Sequence, residues 1–304
     1  MNKRFASLKI NEDDVVDMYS SGSTILDIRN VYHTRDKTIS DILKKNNVTI
    51  KKTYQYYTSK ELARTRKYYC KEDIFENIDN IDKAYWLGFL YADGNVYIPD
   101  GKDGNGRGIR IEITLKEEDG YHLENFSHFI ESNYPVKQKI VKLNGKEIPI
   151  YRIAISSVKM GNDLIKHGCV PRKSLTLKYP NDLKEQFFCS FLAGYFDGDG
   201  CLSFTKNNRN SYSSQLSIMG TYEFLTSIKY KLYNFGIDTG DVASACSKAF
   251  ILRISNHSHA NFYNLIYNKS SYILGRKFEK FRYMLDTRNK DYDISDVAKI
   301  FRLL

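Results

Sequence analysis

Two segments of this chain can bring carboxylates to one place. Ala84-Tyr-Trp-Leu-Gly-Phe-Leu-Tyr-Ala-Asp-Gly94 is apolar around a central glycine and closes on an aspartate and a glycine. Ser190-Phe-Leu-Ala-Gly-Tyr-Phe-Asp-Gly-Asp-Gly200 repeats the plan in the second half of the chain. A duplicated unit of this size predicts two similar halves, each contributing one acid to a shared centre. Paired carboxylates are a common way to hold a hard divalent cation beside a phosphate. The chain also carries 46 Lys and Arg against 36 Asp and Glu, a formal net charge of +10 spread over both halves. Such a balance suits a broad polyanion-binding surface. Pair and charge together point to DNA.

The acids need helices to position them. Leu87, Gly88 and Leu90 in the first segment, and Leu192, Ala193, Gly194 and Phe196 in the second, make a tightly packable face. Gly88 and Gly194 lack a Cβ, so two such helices can approach side by side. Gly94 and Gly200 stand where a helix C-cap glycine belongs, with a strand to follow. Asp93 and Asp199 then fall at the bottoms of two packed helices, where the helix ends add partial negative charge. That arrangement is unfavourable without a cation. Mg²⁺ is the expected occupant, because it takes few protein oxygens and keeps water and phosphate as its other ligands.

Around these segments the chain reads as α+β. Residues 12–50 carry three short helical patterns: Glu12 to Tyr19, a second capped by Ser23 or Thr24 with Ile25, Ile28 and Val31, and a third over residues 39–46 with Ile39, Ile42 and Leu43. This plan resembles the resolvase-type helix-turn-helix modules, so a small all-α domain is expected over residues 1–52. Its third helix would offer Arg35, Lys37, Thr38, Ser40 and Lys44 to a major groove. A basic, Tyr-rich linker is expected over residues 53–80. Two halves follow, 81–180 and 181–285, with a tail over 286–304. Each half reads αββαββα, with strands joined at Asn144-Gly145 by a strong hairpin signal. The Gly-rich stretch 101–108 joins strand to strand and predicts a hairpin tip, not a phosphate-cradling loop.

The two segments resemble the paired signature helices of the LAGLIDADG homing endonucleases. Trp86-Leu-Gly-Phe-Leu-Tyr-Ala-Asp-Gly94 and Leu192-Ala-Gly-Tyr-Phe-Asp-Gly-Asp-Gly200 match that nonapeptide at its glycine, final acid and closing glycine. The resemblance spans roughly residues 80–285 and includes the family-like stretches 168–174 and 274–278, which close the halves. It implies two pseudo-symmetric units with saddle-shaped antiparallel sheets in a monomeric chain. It also implies Mg²⁺-dependent hydrolysis of double-stranded DNA at a long asymmetric site, with Mn²⁺ able to substitute, leaving a staggered break with 5′-phosphates. By position, Asp93 and Asp199 correspond to the catalytic, metal-holding acids, with Ala92 and Gly198 beside them at the metal. Lys173 and Lys277, matched between the halves, are candidates to stabilise charge on the scissile phosphates. Outward strand positions that would read DNA are Arg110, Glu112, Thr114, Lys137, Lys139 and Arg152 in the first half. In the second half they are Ser203, Thr205, Gln215, Ser217 and Arg253. One departure stands out: a second acid two residues before the catalytic one is present as Asp197, but the first motif has Tyr91.

Other chemistry finds little support. Asp197-Gly-Asp-Gly200 fails as an EF-hand, since Leu202 and Asn208 stand where glycine and glutamate are required. His257-Ser-His259 has no neighbouring acid or cysteine in sequence and reads as structural. The five cysteines show no C-x-x-C spacing, which predicts neither zinc nor a disulfide framework. No signal peptide or spanning segment is apparent, so a cytoplasmic protein is expected. The alternative reading keeps the scaffold without cutting, as a transcriptional regulator or an RNA-splicing maturase.

Overall fold

In the N-terminal segment, apolar residues recur at helical spacing and converge. The computed structural model describes residues 10–50, 67–98, 108–143, 145–206, 212–246, 249–268 and 270–286. The chain divides into two compact units at Tyr69/Cys70. In the first, α1 (Glu12–Ser20), α2 (Ile25–Tyr32) and α3 (Asp36–Lys45) bury Val15, Tyr19, Ile28, Tyr32, Ile39 and Leu43. Thr24 caps α2 in a reciprocal box with Asp27. Helix α3 begins at Asp36, ahead of the expected residue 39, with Arg35 as its extended N-cap and Lys37 and Thr38 in its first turn. Val31, expected on the packed face, is exposed. Lys45 reaches back to Glu12 at 2.8 Å and ties α3 to α1.

The second unit starts earlier than the expected end of the linker. Ile74, Phe75 and Ile78 are buried in its core, and Lys71 N donates to Ile130 O at 2.8 Å. Apolar side chains in what reads as a polar stretch supply the reason. Residues 53–66 of that linker, the tip at 101–107, Asn144 and the tail from 287 lie outside the described residues.

The first half runs α4 (Ile81–Ala92), β1 (Gly94–Tyr97), β2 (Arg110–Lys116), α5 (Gly120–Phe129), β3 (Lys137–Leu143), β4 (Lys146–Ser156) and α6 (Val158–Lys166). The second repeats it: α7 (Phe188–Asp199), β5 (Gly200–Lys206), β6 (Tyr212–Gly220), α8 (Tyr222–Asn234), β7 (Ala243–Cys246), β8 (Ala249–Ile254) and α9 (His259–Tyr267). An additional helix, α10 (Gly275–Asp286), comes last. Both sheets are antiparallel and four-stranded, in the orders β1-β2-β4-β3 and β5-β6-β8-β7. The register Leu143↔Lys146 closes β3 and β4 through a two-residue turn, with Gly145 at φ +79°. No helix among the described residues is long and apolar enough to cross a membrane.

Alternation along the strands separates two faces. Ile111, Ile113, Leu115, Ile153 and Ile155 face inward and share one core with Leu123 and Phe126 of α5. Leu202, Leu216, Ile218 and Leu252 do the same in the second half. Helices cover one side of each sheet and leave the other open.

Helices α4 and α7 occupy the centre. A Cβ placed on Gly88 would lie 1.9 Å from Phe191 O, and one on Gly194 would lie 1.9 Å from Tyr85 O. Each glycine therefore seats the other helix's backbone. Gly88→Ala or Gly194→Ala must push the helices apart, and each is expected to cost about 3 kcal/mol or more by urea unfolding.

Candidate active site at the helix junction

Asp93 is the residue that terminates α4, and Asp199 is the last residue of α7. Side-by-side packing brings both ends together: a Cβ on Gly198 would lie 2.2 Å from Ala92 Cβ and 3.4 Å from Asp93 Cγ. The glycines follow the acids at the helix ends as expected, with Gly200 the C-cap residue of α7, but neither takes the left-handed conformation of the usual glycine cap. Gly200 has φ −74° and ψ 143°, an extended conformation, and Gly94 is not among the glycines with positive φ. Their constraint is space. A Cβ on Gly94 would lie 2.6 Å from Leu90 O, and one on Gly200 would lie 2.4 Å from Phe196 O. The chain folds back over the last helical turn as it enters the strand.

Burial raises both acids. Loss of hydration and then the negative charge of Asp199 push Asp93 up to about 6, against the pull of Lys277 and Lys173. Asp199 is raised by burial, while Lys173 and Lys277 draw it back. Asp93 still reaches solvent and Asp199 is half-buried, so the pair lies at the edge of the packed junction and open to a ligand.

Lys173 and Lys277 are only 8% exposed. Lys173 Nζ donates to Ala92 O at 3.0 Å and Gly94 O at 2.6 Å; Lys277 Nζ donates to Phe196 O at 2.9 Å and Gly198 O at 2.7 Å. Each ammonium therefore covers the C-terminus of the helix that carries its own half's acid, where the helix dipole is negative. Burial lowers the pKa of Lys277 below its ordinary value, with Asp197, Asp93 and Asp199 opposing. The carbonyls of Ala92 and Gly198 thus already accept from lysines. A carbonyl has two lone pairs, so one acceptor position remains on each for another donor or a cation.

Tyr91 and Asp197 do not join the acid pair. Both are 1% exposed, and each fixes the segment that leads to a lysine. Asp197 accepts from Leu274 N at 2.8 Å, Tyr85 OH at 2.6 Å and Tyr267 OH at 2.7 Å. Burial pushes it up to about 6 in spite of these donors. Tyr91 OH donates instead to His167 O, just before Gly168. The missing acid of the first motif is replaced by a hydroxyl doing the opposite half of a similar bond.

Each lysine segment is also held by the other half. Gly275 N donates to Tyr121 OH at 2.6 Å, and Arg276 pairs with Asp119 at 2.8 Å. Reciprocally, Thr221 Oγ1 donates to Leu177 O, and Lys178 pairs with Glu223 at 3.0 Å. Sequence reading missed Asp119, Tyr121 and Arg276, whose partners lie more than a hundred residues away. His122 was missed too. Its Nε2 lies 3.0 Å from Tyr85 OH, whose proton is committed to Asp197, so the ring donates, and its buried Nδ1 has no partner.

The strand residues expected to read DNA share the open faces. Arg110, Glu112 and Thr114 alternate with buried Ile111 and Ile113. Arg152 lies opposite both Thr114 and Lys137, and Lys139 lies two positions along the same face. Glu112 pairs with Arg110 at 2.5 Å and with Arg152. In the second half, Ser203 pairs with Gln215 and Arg253 with Ser217, on the face opposite Leu202 and Leu252. Ser217 is buried. Thr205 lies opposite Ser213 in register, and its side chain is outside the described residues. On α3, Arg35, Lys37 and Lys44 are exposed, whereas Thr38 and Ser40 are half-buried and Ser40 Oγ donates to Asp36 O at 2.8 Å. His257 pairs with Asp238 at 2.7 Å, and His259 is buried against Ile254 O, so the two histidines do not converge.

The donors at the junction are oxygens: two carboxylates and helix-terminal carbonyls. Such a set suits a hard cation that retains water and phosphate ligands. Among the described residues no cluster of three or more His, Cys, Asp or Glu is placed to hold a metal ion.

The fold and site therefore define a duplicated α+β protein with an acidic pair at a two-helix junction and two open sheet faces. No family model matches the chain, and no curated protein matches it. Among solved structures it is similar to the LAGLIDADG meganuclease I-AabMI bound to uncleaved DNA, at 17% identity over 73% of this chain and 98% of that one, TM-score 0.47. It is also similar to mesophilic variants of the homing endonuclease I-DmoI, at 21% identity over 65% and 97% of the two chains, TM-score 0.43. The homing endonuclease I-GzeII in complex with its DNA target gives 13% identity over 73% and 97%, TM-score 0.47.

Two measurements test these electrostatics. Asp93→Asn removes one charge from the crowded pair and is expected to melt higher than wild type in EDTA at pH 7.5. His122, lowered to about 4 by burial, is expected to stay neutral in NMR titrations far below the ordinary value of 6.5. Because the folded value is depressed, its contribution is fully present above pH 6.5 and is lost as pH falls toward 4. His122→Gln should shrink the stability difference between pH 7 and pH 4 by about 3 kcal/mol.

Proposed function

We propose that this protein is a site-specific endonuclease that hydrolyses phosphodiester bonds of double-stranded DNA with a divalent metal, acting as a monomer whose two halves form one site. The observation that carries this reading is the acid pair itself. Asp93 and Asp199 are held at abutting helix ends by reciprocal glycine contacts, with Lys173 and Lys277 buried beside them. A purely structural role gives no reason to collect two raised carboxylates there.

Asp93 and Asp199 would hold the cation, with the carbonyls of Ala92 and Gly198 adjoining. Bound Mg²⁺ or Mn²⁺ supplies Lewis-acid charge neutralisation at the phosphoryl group and a more acidic water. The chain's own contribution is placement and charge. Both acids sit where β1 and β5 begin, so a duplex lying on the open faces presents its backbone to the junction. Lys173 and Lys277 keep positive charge within reach of the reacting phosphates. Two inequivalent halves suit a long asymmetric site and a staggered break leaving 5′-phosphates. The three-helix unit adds contacts through Arg35, Lys37, Thr38, Ser40 and Lys44 of α3, in the manner of a helix-turn-helix module. I-AabMI and I-GzeII are each bound to DNA in their solved structures.

The test is selection of cut sites from a randomised duplex library with Mg²⁺, Mn²⁺ or EDTA. Metal-dependent double-strand cutting at one sequence class is expected, lost in both Asp93→Asn and Asp199→Asn while binding persists. Selective binding without cutting by the wild type would favour the regulator or maturase reading instead. With a site in hand, Arg35→Ala/Lys37→Ala/Lys44→Ala should shorten the footprint at one end.

A further inference from the structure

The two open sheet faces carry very different charge. On the first, Arg110, Lys116, Lys137, Lys139, Lys146 and Arg152 accompany the single carboxylate of Glu112. Glu112 is bonded to both arginines, so it pins two guanidiniums without cancelling the four lysines. Those four lysines are exposed. Among the described strand residues of the second face, Cys201, Ser203, Gln215 and Ser217 are joined by one charged side chain, Arg253, with Lys280 of α10 near Cys201 at its margin.

Lysines on an edge strand also serve to prevent sheet-to-sheet association, and β3 is an edge. That explanation is insufficient. Strand β7 holds the equivalent edge of the second sheet as Ala243-Ser-Ala-Cys246, with no lysine. Lys116 and Arg152 also stand on the interior strands β2 and β4.

We propose that the faces divide the work unequally: the first-half sheet is the electrostatic grip on duplex phosphates, and the second-half face adds neutral polar contacts with little counterion release. This rests on the double-stranded DNA reading above and goes beyond it by assigning the salt-sensitive part of binding to one half. Positive side chains that neutralise phosphates release counterions, and each such contact steepens the fall of affinity with salt by about one log unit per log unit.

The measurement is fluorescence anisotropy of the full chain with a random-sequence 30-base-pair duplex in EDTA, titrated with salt. Lys116→Gln/Lys137→Gln/Lys139→Gln/Lys146→Gln is expected to flatten the slope by about 3 and to weaken binding at least tenfold near 0.1 M salt. The matching set of Lys→Arg changes should keep the wild-type slope, separating charge from structure. Arg253→Gln should change the slope by about 1 at most. An unchanged slope in the glutamine variant, or an equal loss in Arg253→Gln, overturns the division of labour while leaving the DNA reading in place. No binding of the duplex by wild type overturns both.

Discussion

Everything at the junction depends on two glycines touching the opposite helix's backbone. At 1.9 Å from a carbonyl oxygen there is no room for a Cβ at Gly88 or Gly194, so the separation of α4 and α7 is set by main chain alone. Such contact is stiffer than side-chain packing, because no rotamer change can relieve it. It also surrounds both helices with protein. Ala84 through Tyr91 are all buried, which is why the segment is apolar on every side. Rigid spacing in turn fixes where the helix ends lie and how crowded two carboxylates become.

That crowding has to be offset, and the offset is local. Two carboxylates and two helix C-termini concentrate negative charge in one place. Lys173 and Lys277 answer it with ammonium groups that bond the terminal carbonyls and draw down the acids across the junction. Lysines buried this deeply need rigid backbone beneath them, and each lysine segment is fastened twice. One fastening comes from its own half or the central helices, the other from the opposite half through Asp119 and Tyr121 or Thr221 and Glu223. The halves are interlocked at the site.

Much of this was legible in the sequence. The apolar runs closed by Asp-Gly gave the helices, alternation in Arg110–Thr114 put those side chains together on one side of a strand, and the repeat gave the common αββαββα order. Other parts were not. The lysine–carbonyl bonds leave no residue pattern, because a carbonyl acceptor has no side-chain signature. Asp119 and Arg276 look like ordinary surface charges until the halves meet. Helix α10 is a different case: Lys277, Phe281 and Met284 recur at helical spacing and are buried, but a glycine at its start masked the signal. Gly94 and Gly200 were placed correctly for a mistaken reason, since close approach and extended backbone look identical to left-handed capping in a sequence.

Housing both halves in one chain leaves Tyr91 and Asp197 free to differ. A phenol that gives a proton to a carbonyl and a carboxylate that receives one from an amide perform equivalent tethering with reversed polarity. The carboxylate can only accept, so it cannot take the place of Tyr91 without also exchanging the loop that Tyr91 grips. The modular boundary for recombining such halves therefore runs through the tail of each central helix and its distant loop together. A graft that set an aspartate against the His167 carbonyl would leave an acceptor facing an acceptor beneath the lysine.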